Sequence, residues 1–63
     1  MRTKVYLADP QKHGVIDAIA SNEHINWSGF MEDEKGLYYL FEGRLDKEKK
    51  KLYPGIREIE HIE

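Results

Sequence analysis

The chain contains no cysteine, which excludes a disulfide framework and any thiolate-bound zinc as a brace for the fold. No apolar run is long enough to span a membrane, and the opening stretch "MRTKVYLADP" lacks the apolar core of a signal peptide. There are only two prolines, each beside a turn-forming residue, in Asp9-Pro10 and Pro54-Gly55. Neither sign of charge dominates. Ten Lys and Arg stand against twelve Asp and Glu, so the net charge of -2 lacks the basic excess of a nucleic-acid binder. These absences leave the expectation of a soluble, cytoplasmic protein, one small α+β domain over residues 1–63. A domain of this size buries only about 60% of the surface its unfolded chain exposes. With no disulfide available, association with itself or with another protein is the common remaining support.

What is present is a sequence of short elements. Val5 and Leu7 alternate with Lys4, Tyr6 and Ala8, the pattern of a strand. Asp9-Pro10 suits the start of a helix, with Asp9 as N-cap and Pro10 at the first helical position. Val15, Ile16, Ile19 and Ala20 then fall on one helical stripe, and Asn22 suits a left-handed terminator. A second strand is expected from Ile25 to Met31 and a third from Leu37 to Glu42, joined as a hairpin by the polar residues 32–35 and Gly36. Asp46 can cap a short helix from Lys47 to Tyr53 that stops at Pro54-Gly55. The tail, residues 56–62, spaces its isoleucines as a helix would. Its β-branched content and its place after Pro-Gly favour an edge strand. The order β-α-β-β-α-β is the split βαβ, or ferredoxin-like, arrangement: a two-layer sandwich with both helices on one face of an antiparallel sheet. The alternative is a three-stranded sheet with a C-terminal helix.

Residues 37–41, Leu-Tyr-Tyr-Leu-Phe, are apolar or aromatic without a break, so the third strand carries bulky side chains on both faces. If residues 32–35 form the loop and Met31 faces Gly36, then Phe30 opposes Leu37 and Trp27 opposes Leu40. Ile25, Trp27, Met31, Tyr38 and Leu40 would then line the core face with Val5 and Leu7. Tyr6, Phe30, Leu37, Tyr39 and Phe41 would line the other face, which no helix covers. A contiguous apolar patch of that size is rare on a monomer, so it reads as a partner-binding surface.

Two segments carry a resemblance. "VYLADP", Val5 to Pro10, resembles the stacking hexamer of RNA-recognition motifs, with Tyr6 at the stacking position. "KGLYYLFE", Lys35 to Glu42, partly resembles their octamer. Lys35, Gly36, Tyr39 and Leu40 fit, whereas Leu37 and Glu42 stand where aromatics are expected and Tyr38 where a small residue is expected. The resemblance implies single-stranded nucleic-acid binding on the same sheet face, and the acidic balance ranks it second. An acylphosphatase-type enzyme would need an arginine-bearing anion loop after the first strand, where this chain has Ala8-Asp9-Pro10-Gln11.

No reactive constellation emerges. His13, His24 and His61 have no metal-site spacing, and Glu32, Asp33 and Glu34 read as an acidic turn. The lysines Lys47, Lys49, Lys50 and Lys51 read as a solvated helix face, and Trp27 as a core residue. There is no nucleophile elbow and no glycine-rich phosphate loop. The expectation is therefore a non-catalytic protein-binding module with no cofactor, no metal and no membrane association. A homodimeric regulator, or an inhibitor of a larger protein such as phages and mobile elements encode, suits a chain of this size.

Overall fold

In the first strand, side-chain alternation sends Thr3, Val5 and Leu7 to one side and Lys4 and Tyr6 to the other. The computed structural model, which describes residues 1–62, builds outward from this strand, β1 (Arg2–Leu7). It continues through α1 (Gly14–Glu23), β2 (Trp27–Asp33), β3 (Gly36–Phe41), a five-residue 3₁₀ turn (Lys47–Lys51) and β4 (Ile56–Ile62). The four strands form one antiparallel sheet in the order β2-β3-β1-β4. The C-terminal segment is thus an edge strand, paired with β1 from Arg2↔Ile62 to Leu7↔Ile56.

Each helix differs from its expected form. Asp9-Pro10 makes a turn instead of a helix start: Lys12 N–H donates to the Asp9 carbonyl at 2.9 Å, and Gln11 N–H to its carboxylate at 3.0 Å. Asp at the first position and Pro at the second are what a type I turn favours. The helix begins only at Gly14 and ends at His24, not Asn22, with His24 in the left-handed region at φ 54°. The second expected helix shrinks to the 3₁₀ turn, which buries no residue of its own. Asp46 does not cap it through its side chain, because its carboxylate is engaged by Arg44 Nε at 2.9 Å.

The hairpin register also shifts. Gly36 pairs with Asp33 instead of Met31, which reduces the loop to Glu34-Lys35. Asp33 closes that turn by accepting the Lys35 N–H at 2.8 Å, and Gly36 adopts φ 119°, a conformation that side-chain-bearing residues rarely take. A further register irregularity falls between Trp27 and Gly29.

Val5, Leu7 and Ile25 lie in the core as expected, but the faces of β3 are reversed. β1 and β3 pair as Val5↔Tyr39 and Tyr6↔Tyr38, and directly opposed residues share a face. Helix α1 packs Ile16 and Ile19 over the side that holds Val5, Leu7, Tyr39 and Phe41, joined by Ile56 and Ile59 of β4. Leu45 and Tyr53 close this core from the connection between β3 and β4. Tyr38 and Leu40, expected beneath the helix, lie instead with Tyr6 on the opposite face. Thr3 is buried at the rim of the core. Its hydroxyl donates to the Gly43 carbonyl at 2.7 Å and accepts from the Leu45 N–H at 3.0 Å, which pins the connection against β1.

Candidate functional site

The open face of the sheet is covered by the chain's own charged side chains. Tyr6 is fully buried there, and Tyr38 and Leu40 are buried beside it, although no helix lies above them. Lys4 Nζ sits 4.7 Å from the Tyr38 ring centre, and the Arg57 guanidinium 5.3 Å from the Tyr6 ring centre. Each places its cationic group over the face of an aromatic ring. The cover is tied down at its rim. Lys4 Nζ donates to Asp33 Oδ2 at 2.8 Å, Arg57 to the Lys35 carbonyl at 2.6 Å, and Lys35 bridges Glu58 and Glu60.

Asp33 is the junction of this layer. The Lys4 ammonium, and next the Tyr6 hydroxyl donating at 2.5 Å, hold its carboxyl down at about 2. Burial, reinforced by the bond to Asp33, pushes the Tyr6 phenol up to about 12. Glu60 and Glu58 raise the Lys35 ammonium. The buried, capped ring of Tyr6 offers no free surface on which a base could stack.

The partner-binding set expected from the sequence is therefore divided. Tyr6 lies under the charged layer, and Tyr39 and Phe41 are buried in the core, so none of the three presents a surface. Leu37 is half-buried near the hairpin, and Phe30 alone is well exposed. Trp27, expected in the core, joins it at the surface.

These two rings form the main aromatic exposure. Trp27 is 40% exposed and Phe30 48% exposed, on the outermost strand β2. Both rest on the buried ring of Tyr39. Trp27 meets it edge-on with ring centres 5.0 Å apart, and Phe30 tilts over it at 4.5 Å. A helix is about 10 Å across and strands lie about 4.8 Å apart, so one helix covers about two strands. The 3₁₀ turn lies against β4, at the far side of the sheet, which leaves β2 without a helical cover. Met31, 41% exposed, extends the apolar surface onto the other side of the same strand, its sulfur 3.9 Å from the Tyr38 hydroxyl. Acidic groups frame the strand: Glu32 and Glu34 near the hairpin, and Glu42, which accepts a 2.5 Å hydrogen bond from Ser28, near Trp27.

No family model, curated protein or solved structure matches this chain.

Elsewhere, two open clefts of about 460 and 400 Å³ flank the 3₁₀ turn. Part of their charged lining is committed internally: Arg44 to Asp46, Lys49 to Glu23 at 3.2 Å, and His61 Nε2 to the Leu45 carbonyl at 2.7 Å. Among the described residues, no three His, Asp or Glu side chains converge as metal ligands, and no helix is long and apolar enough to cross a membrane. Sequence reasoning missed Trp27 as a surface residue. The available signal was the charge-free stretch Trp27–Met31 on a strand that could be an edge.

Proposed function

We propose that this chain is a small, non-catalytic protein-binding module, and that its working surface is the β2 edge with Trp27 and Phe30, not the open sheet face. The reading keeps the split βαβ topology as its frame, with the second helix reduced to the 3₁₀ turn. The observation that carries it is the exposure of two large aromatic rings on an edge strand, both seated on the buried Tyr39. Tryptophan and other aromatics are the residues most often found as interface anchors, and an edge strand offers unpaired backbone donors and acceptors beside them. Inhibition or regulation of a larger protein suits this surface better than a symmetric dimer. A homodimer suits an uncovered aromatic face, whereas here Lys4 and Arg57 lie over the rings and Lys35 is tied to the rim carboxylates Glu58 and Glu60.

The test is capture from the native host, with wild-type protein, Trp27→Ser and Phe30→Ser as immobilised baits. Both variants should melt cooperatively near the wild-type temperature and lose the captured protein. If the folded variants capture it as well as the wild type does, the β2 edge is not the working surface.

A further inference from the structure

The two edges of the sheet differ in a way that identifies what β2 would take. Edge strands invite pairing by other chains, and natural proteins block this with charges, proline or bulges. β4 is blocked along its length: Arg57, Glu58, Glu60 and His61 interrupt its isoleucines. β2 carries no charge from Trp27 to Met31 and no lysine or arginine anywhere in the strand, and its one register irregularity lies at its start, between Trp27 and Gly29, so that Gly29–Asp33 runs regularly. Its charges are acidic and lie toward the hairpin. Glu32 follows Phe30 on the same face by strand alternation, Glu34 stands in the turn, and Glu42 is held beside the strand's start by Ser28. The nearest cations are spoken for, Lys4 by Asp33 and Lys35 by Glu58 and Glu60.

We propose that the β2 edge accepts an extended, basic segment of another protein as an added strand, with arginine or lysine side chains lying over Trp27 and Phe30 and reaching Glu32. This rests on the reading of β2 as the working surface and adds the chemistry of its partner. Main-chain pairing to the edge supplies affinity, and alternate side chains of the added strand supply specificity. Cations above exposed aromatic rings are attracted to the ring faces, and the Glu32 carboxylate completes the recognition. A second copy of this chain is a poor occupant by the same logic. It would bring a strand bearing Glu32 and Asp33, and no cation, against an identical one.

The chain's only tryptophan lies in the proposed site, so its fluorescence reports binding directly. The probes are two synthetic peptides of equal length, one alternating arginine with valine and one alternating glutamate with valine. The arginine peptide should change Trp27 emission in a saturable, salt-sensitive way and bind at least about tenfold more tightly than the glutamate peptide. Methylating alternate backbone nitrogens of the arginine peptide, on the side that would face β2, should abolish binding. The variant Glu32→Gln should weaken it by about threefold, because an exposed charge contact contributes a factor of a few. Equal binding of the two peptides, no binding of either, or survival of binding after methylation would each overturn the proposal. So would sedimentation showing self-association that Phe30→Ser abolishes. If the peptides fail while the wild-type capture described above still depends on Phe30, the partner's chemistry is wrong and the surface is right.

Discussion

Asp33 accepts three hydrogen bonds at once, from the Lys4 ammonium, the Tyr6 hydroxyl and the Lys35 backbone N–H. Its folded pKa lies at about 2, below the ordinary 3.8. A depressed carboxyl pKa contributes stability that is complete above the unfolded value and is lost as pH falls through the folded one. Thermal midpoints should therefore hold down to about pH 4 and decline between about pH 4 and pH 2. Asp33→Asn should lower the midpoint at neutral pH and flatten that acid limb. Tyr6 acts at the other end of the scale. Its raised phenol pKa contributes stability that is complete below 10 and lost as pH rises toward about 12. Burial raises the Tyr53 phenol as well, so tyrosinate absorbance during alkaline titration should show a late-ionising component that shrinks in Tyr6→Phe. Thr3 is a second single-residue test. Thr3→Val keeps the volume but removes a partner from the buried Leu45 N–H, which should cost about 1–3 kcal/mol in chemical denaturation.

At the scale of elements, β3 decides which face is the core. Phe41 is fully buried beneath α1, whereas Phe30 on the neighbouring strand is 48% exposed. Phe41→Ala should cost about 3–5 kcal/mol, a large part of the roughly 3–9 kcal/mol expected of a domain this small. Phe30→Ser should cost no more than about 1 kcal/mol, the scale of one aromatic pair contact. Urea unfolding of the two variants side by side checks this, and a reversed order would place the core on the Leu40 side. The four strands and the first helix were legible in the sequence, whereas the expected second helix is a 3₁₀ turn. The alternation of Val5 and Leu7, the stripe of Ile16 and Ile19, the polar turn before Gly36 and the β-branched tail each led to an element of the expected type. The faces were not legible, because Leu37 to Phe41 places large apolar groups at both parities. A local pattern cannot choose between them. The choice is made by the pairing Val5↔Tyr39, a contact between distant segments, and by which face α1 can reach. Trp27 was misplaced for a related reason: periodicity says which side of a strand a residue faces, but not how far across the sheet the helix extends.

The whole molecule is a sheet with one helix on one side and a layer of its own charges on the other. Exposed ion pairs contribute little stability individually, often less than about 1 kcal/mol. The larger effect of this layer is to keep Tyr6, Tyr38 and Leu40 from neighbouring molecules. Removing it without touching the rings should therefore alter behaviour more than stability. A variant with Lys4→Ser, Lys35→Ser and Arg57→Ser should bind an apolar fluorescent dye more strongly than the wild type does and sediment with a mass that depends more steeply on concentration. Unchanged dye binding and mass would mean that the aromatic face is protected by something other than these charged side chains.

The position of β1 in the middle of the sheet has a consequence in time. β1 is made first, yet it is flanked on one side by β3 and on the other by β4, and its outermost rung joins Arg2 to Ile62. A nascent chain that has emerged only as far as Lys51 offers β1 one neighbour and leaves its other side bare. Val5, Leu7 and the buried Thr3 would wait in a half-built sheet until Ile56 to Ile62 arrives to close it.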